Sequence, residues 1–254
     1  MNYQSSARRV TDVSEAVGTV GSGVIAERII TAPCTPRIVI TGPFQAQLTV
    51  DPSQHDDFCL RFRADDNVLP RVRARLRDGV LEIGLEDGMY SDLSELKVTA
   101  RVGQLSELAT SGRACASVQH LDGHAIALTA AHASVIHVDG RARHWQLAAA
   151  GQSLIRLRAA SAERVSVSAS DASTVQLEGA CPDLDVSLSG AARLLAVRPA
   201  FVAQRAQLDL SGAARASLCT SERVAGRVRF PARLTLSCRG AIDLQGAYRL
   251  EPRS

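Results

Sequence analysis

From Leu108 to Leu244, apolar and small polar residues alternate in a pattern that returns about every 20 residues. Seven segments share eleven positions without gaps. They begin at Leu108, Leu128, Leu147, Val167, Val186, Leu208 and Leu234, at spacings of 20, 19, 20, 19, 22 and 26. The first and third positions are mostly apolar (Leu208 and Leu210, Val186 and Leu188), and the second is small or polar (Thr129, Ser168, Ser187, Asp209). A period of two with one apolar face predicts a strand. The ninth and eleventh positions repeat it: Ile136 and Val138, Ile155 and Leu157, Val175 and Leu177, Ile242 and Leu244. Between the strands the fourth position is Ser or Ala. The fifth is usually Gly or Asp, which tolerate left-handed backbone angles. The seventh is Ala114, Ser134, Ser153, Ser173, Ala192, Ala214 or Gly240. A corner that admits only small side chains is a tight corner.

Strand, bend, strand and a connection of about nine to fifteen residues describe one coil of a parallel β-solenoid. Coils stack about 4.8 Å apart, so equivalent residues form ladders and the Leu and Val ladders fill the interior. The expected fold is all-β, with about 20 residues per coil and one continuous domain. The composition agrees: hydrophobic residues make up 46% of the chain but aromatics only 4%, as thin coils require. No amphipathic helix of ten or more residues is evident.

Upstream of the repeat, residues 1–23 are polar and expected to be flexible, and residues 24–100 are β-rich without the motif. Phe58 to Arg63 alternates. Val72 to Leu85 reads as two alternating strands joined by Asp78-Gly79, a strong hairpin signal. An open sheet edge invites aggregation unless covered. Residues 24–100 are therefore assigned the first coils and a cap, and 101–254 the repeat. The polar stretch from Tyr248 to Ser254 is the expected shield for the other end.

A net charge of +3 with interspersed signs gives no case for nucleic acid. No apolar run approaches the roughly 20 residues of a membrane span. The first 23 residues lack the apolar stretch of an export signal, so the chain reads as cytoplasmic. Of the six cysteines, none form a CxxC pair, and Cys115, Cys219 and Cys238 fall at different repeat positions. Burial as small hydrophobes is expected rather than bridging.

Candidate chemistry is sparse. Counting forward along the repeat places His124, His144, Glu163 and Asp183 at one position of successive coils, a ladder that could hold a transition metal. Counting backward sets His124 beside Arg143 instead, and a solvated polar edge is the plainer account. Arg71, Arg73, Arg75 and Arg77 alternate along one strand and could meet an anionic ligand, although alternating Arg also guards an edge strand. Asp122, Asp139, Asp171, Glu178, Asp185, Asp209 and Asp243 are dispersed over repeat positions, where a polysaccharide lyase or hydrolase needs paired acids. Trp145 is the only Trp, a poor endowment for a sugar groove. No phosphate loop, GxSxG elbow or HExxH occurs. No catalytic, metal or cofactor site is assigned, and no cofactor is expected. The small second-position residues Ala109, Thr129, Ala148, Ser168 and Ser187 make a smooth face suited to a surface ligand (glycan or protein) or a second copy. The reading is a non-enzymatic binding scaffold. The alternative is a carbohydrate-active enzyme or glycan-binding module on the same fold.

Asn67-Val68-Leu69-Pro70, followed by Asp78-Gly79-Val80-Leu81-Glu82-Ile83, resembles the "N-L-L-P … D-G-x-L-x-I" stretch of the bacterial GIN-domain family, putative auto-transporter adhesin head domains of unknown function. Ile38 to Phe44 and the Ser-Gly-Ala bends at Ser189 and Ser211 are similar to it as well. The resemblance spans about residues 24 to 246 and carries no catalytic residue. It implies a right-handed parallel β-helix and a place in the cell envelope or outside the cell.

Overall fold

The computed structural model describes residues 18–54, 57–159, 162–196, 200–238 and 240–250. The N-terminal region comprises β1 (Thr19–Val20), β2 (Ile25–Ala32), β3 (Arg37–Thr41), β4 (Gln45–Val50), β5 (Phe58–Asp65), a 3-10 turn over Leu69–Arg71, β6 (Val72–Arg77), β7 (Val80–Leu85), β8 (Tyr90–Ser91) and β9 (Leu96–Val102). The repeat comprises β10 (Glu107–Ser111), β11 (Cys115–Ala130), β12 (Val135–Ala149), β13 (Leu154–Ala159), β14 (Arg164–Ala169), β15 (Thr174–Leu188), β16 (Arg193–Ala196), β17 (Phe201–Leu210), β18 (Arg215–Val228), β19 (Arg233–Cys238), β20 (Ala241–Gly246) and β21 (Tyr248–Leu250).

These strands stack as parallel coils of a β-solenoid. The first-position ladder runs Leu81, Ile38, Leu108, Leu128, Leu147, Val167, Val186, Leu208, Gly226, Leu244. The ninth-position ladder runs Val98, Ala46, Ala116, Ile136, Ile155, Val175, Leu194, Ala216, Leu234, Tyr248. Side chains of the inward parity form one continuous buried core.

Three expectations need correction. The segment beginning at Leu234 is out of register: Leu234 lies beside Ala216 at the ninth position, and Gly226 takes the place under Leu208. Both strands of a coil carry the same apolar alternation, so a Leu-x-Leu motif cannot say which strand it belongs to. Gly226 removes the apolar marker; a Cβ there would lie 2.0 Å from the Leu208 carbonyl oxygen. Second, most of the variable connections are not loops. β11, β12, β15 and β18 run 14 to 16 residues each through the outer corner, so strand pairing continues where a connection was expected. Third, the part of the expected polar shield that is described, Tyr248 to Leu250, is a strand, and residues 251–254 lie outside the described residues. Tyr248 and Leu250 continue the ladders of Leu234 and Leu236 and stand 42% and 53% exposed.

The corners follow the sequence closely. Backbone φ is positive at Gly112, Gly151, Asp171, Gly190 and Gly212, the fifth positions. A Cβ on Gly212 would lie 2.8 Å from the Gly190 carbonyl oxygen, so stacked bends leave it no room. Ala114, Ser134, Ser153, Ser173, Ala192 and Ala214, the seventh positions, are all buried. Their hydroxyls are used: Ser134 donates to the Thr110 carbonyl at 3.0 Å, Ser153 to that of Ala130 at 2.9 Å, and Ser173 to that of Ala149 at 3.1 Å. A buried hydroxyl without such a partner would be costly.

The N-terminal coils are interleaved rather than consecutive. β3 and β4 form a layer between β7 and β9 on one side and β10 and β11 on the other. Beyond β7 and β9 the parallel stack stops. β6 pairs antiparallel with β7, and β5 pairs antiparallel with both β9 and β2. Asp78 and Gly79 both have positive φ and turn the β6–β7 hairpin, as their dipeptide predicts. Phe58, Phe62, Val68 and Leu69 of this cap are buried, as is Phe44 of the layer it covers. Phe44 and Phe62 meet edge to face at 6.4 Å.

The Asn67-Val68-Leu69-Pro70 stretch has a mechanical role. The Asn67 amide donates to the Val20 carbonyl at 2.7 Å and accepts from Ser22 N–H at 3.2 Å. Buried Asp65 accepts from the N–H groups of Gly23 at 2.8 Å and Ser94 at 2.9 Å. Residues 18–23, assigned on sequence to a flexible segment, are thereby pinned, with β1 paired to β8. Residues 1–17 of that segment lie outside the described residues.

Candidate binding faces

The solenoid's outward parity offers three surfaces. The first is the smooth face. Thr129, Ala148, Ser168 and Ser187 stack on adjacent strands β11, β12, β14 and β15, with Asp209 on β17 continuing the row. Together with Ala127, Gln146, Ser166, Asp185 and Gln207 they line a shallow groove of about 510 Å³. The ladder explains the groove: short side chains in successive coils leave a trough that longer ones would fill. Its acids are occupied, since Arg164 donates to Asp185 at 2.8 Å and Arg229 to Asp209 at 3.4 Å.

The second surface carries the polar column. The register follows the backward count: Ala125, His144, Arg164, Asp183, Arg205 and Arg223 form one ladder. His124 lies one residue before Ala125, so it is diagonal to His144. Their rings are 5.3 Å apart, edge to face. His144 Nε2 is 3.8 Å from Glu163. Asp183 turns to Arg205, accepting at 2.8 and 3.1 Å. That bond is the largest influence on its carboxyl, which is held below the ordinary carboxylate value against a smaller opposing effect of burial. The four residues His124, His144, Glu163 and Asp183 therefore do not share one ladder. Among the described residues no group of three His, Cys, Asp or Glu is placed to hold a metal ion.

The third surface is the edge strand β6. Arg73, Arg75 and Arg77 alternate along it, while Arg71 closes the preceding 3-10 turn. Acids face them. Arg73 pairs with Glu86, and Arg75 stands directly across from Glu82. The strip is thus mixed in sign.

Trp145 is 1% exposed and belongs to the interior, between Ile126 and Val165. The cysteines divide, against the expectation of general burial. Cys181 and Cys219 are buried, Cys34 is half-buried, and Cys59 and Cys115 are exposed; all five are free thiols. Burial, then the charges of Asp183 and Asp185, push the Cys181 thiol up to about 12.

What the sequence reading missed is the groove's extent. The small second-position residues signal it, but the flanking Gln146, Ser166 and Gln207 fall in stretches assigned to connections.

These features define a class: a parallel β-solenoid with a capped N-terminal end and outward faces built from ladders. Residues 37–240 match the family described as "Putative auto-transporter adhesin, head GIN domain", and the chain belongs to that family. Solved structures share the fold. An adhesin-described protein from Parabacteroides merdae superposes with a TM-score of 0.80 at 15% identity, covering 92% of this chain and 99% of its own. A protein from Parabacteroides distasonis described likewise gives 0.79 at 15% identity, covering 91% and 99%. A third, from Parabacteroides distasonis, described as a putative lipid binding protein, gives 0.78 at 13% identity, covering 92% and 99%. No curated protein sequence matches the chain.

Proposed function

We propose that the protein is a non-enzymatic, adhesin-like binding module of the cell envelope or the extracellular surface. It engages a surface ligand, glycan or protein, through the groove on its smooth face. The carrying observation is that groove: about 510 Å³, spread over five strands, and floored by short side chains. Contact there is distributed over many residues, as surface complementarity requires. An enzyme concentrates its effect in a few positioned groups, and the carboxylates in this groove are each taken up by an arginine. The Arg73–Arg75–Arg77 strip, neutralised in part by Glu82 and Glu86, contributes weakly and in small steps.

The test is retention of the full chain on arrays of bacterial and host-type glycans and on phospholipid vesicles, the latter because one relative is described as lipid binding. Ala148→Arg and Ser168→Arg fill the trough from exposed or half-buried positions and abolish retention, while Arg77→Ala leaves it nearly intact. Retention unaffected by both trough variants overturns the assignment. Release of reducing or unsaturated sugar, lost on one Asp or Glu substitution, favours the carbohydrate-active alternative.

A further inference from the structure

We propose that a ladder of three arginines at one corner of the solenoid is a second binding surface, for an acidic polysaccharide that carries a carboxylate on each sugar. Arg193, Arg215 and Arg233 hold the eighth repeat position on β16, β18 and β19 and stand side by side in register. All three are exposed. Earlier in the same column stand Thr174, Leu154, Val135 and Cys115, so the charge is confined to these coils. Among the described residues no carboxylate is in ion-pairing distance of the three. Other outward arginines are neutralised: Arg158 pairs with Glu178, Arg164 with Asp185 and Arg223 with Asp243. Residues 187–196, 210–219 and 227–238 build this corner in three coils, and they contain no Asp or Glu. The acids nearest in the repeat are engaged, Asp171 by the Gly151 N–H and Asp209 by Arg229. Like charges directly opposite on paired strands repel, and a bound anion relieves that repulsion.

The spacing selects the anion. Paired strands set the rungs about 4.8 Å apart. An extended chain of uronate sugars advances by about one strand spacing per sugar. Its carboxylates therefore meet the ladder at every rung or, where they alternate sides, at every second one. Each guanidinium can donate two parallel N–H bonds to a carboxylate. Phe230 holds the fifth position, where Gly190 and Gly212 stand in the neighbouring coils, and is 95% exposed. Its ring offers an apolar face for a sugar to pack on. A phospholipid surface also takes arginine and a protruding aromatic, but it imposes no repeat along the axis. The groove lies on the strand before the corner, so this inference does not rest on it.

Titration of the full chain with soluble polygalacturonate, at low and at raised ionic strength, tests this. Binding is expected at low salt and falls as salt screens the arginines; the methyl-esterified polymer, which lacks the charges, does not bind. At the salt of array washing the ladder's hold is screened, so array retention reports the groove. Arg215→Gln weakens binding about fivefold, and the same change at all three arginines removes it. Phe230→Ala weakens binding but leaves its salt dependence unchanged. Ala148→Leu, which crowds the groove without adding charge, leaves binding intact, so failure of the groove and failure of the ladder are told apart. Thermal melts check that each variant folds, and Arg215→Gln alone carries the test should the triple variant not. Absent binding, equal binding of the esterified polymer, or indifference to the arginine substitutions overturns the proposal. So does binding to phosphatidylglycerol vesicles with none to polygalacturonate.

Discussion

At the N-terminal end, antiparallel strands β6, β5 and β2 cover the last parallel layer, and β5 contributes buried Phe58 and Phe62, the latter against buried Phe44. At the C-terminal end, β20 and β21 stop with their inward residues half or fully open to solvent. Both ends began with the same problem, a sheet edge and an uncovered core. The cap solves it with non-repetitive sequence: an Asp-Gly hairpin, a 3-10 turn and Asp65 holding two distant backbone N–H groups. Among the described residues no such device lies beyond β20 and β21, and the repeat's own motif calls for a next coil. Repetition extends a solenoid; only a departure from it ends one.

Truncating an inward residue at three heights tests this most strongly. Phe62→Ala, under the cap, is expected to cost about 3–5 kcal/mol and Leu210→Ala, between Leu188 and Val228 in mid-stack, about 2–5 kcal/mol. Leu250→Ala at the open end should cost less than about 1 kcal/mol, because half of that side chain is already in water. Chemical denaturation measures all three. Equal costs would mean that the two ends are equally well covered.

A smaller effect is expected at the corners. Ser173→Leu forces bulk into a site that is 0% exposed and removes the single hydroxyl donor that lies within reach of the Ser170 and Ala149 carbonyls. Overpacking of this kind costs about 1–3 kcal/mol. An unchanged melt would show the corner to be open.

The smallest effect is pH-dependent and confined to the cap. Burial raises the Asp65 carboxyl, but the N–H groups of Gly23 and Ser94 outweigh it and hold the pKa below its ordinary value. A carboxyl depressed on folding adds stability that is present above its unfolded value, about 3.9, and is lost as pH falls through the folded value. Asp65→Asn should therefore lower the melting temperature at neutral pH, and the gap to the unaltered protein should narrow as pH falls below about 4. A gap that is constant with pH would sink this account.

Strand parity, the left-handed fifth position and the small seventh position were legible in the sequence, because each is set by contacts within one coil or between identical coils. The β6–β7 hairpin was legible because two adjacent residues decide it. The register of the last coil was not, since Gly226 carries no apolar mark and Leu234-Thr235-Leu236 fits either strand. The column of His124, His144, Glu163 and Asp183 depended on corner lengths, where a difference of one residue moves His124 off His144. The interleaving of β3 and β4 left no local trace, because Ile38 pairs with Leu81 and with Leu108, 70 residues farther along.

That interleaving bears on the order of events during synthesis. β3 and β4 leave the ribosome before either of the layers that will cover them exists, and both of their edges stay unpaired until β7, β9, β10 and β11 have been made. Loop closure over such distances is slow compared with the step from one coil to the next. The repeat coils can each add to the one before as they emerge, whereas the cap must assemble as a unit. The rate of folding is therefore expected to be set near residue 100, and the residues after it to follow as fast as they are delivered.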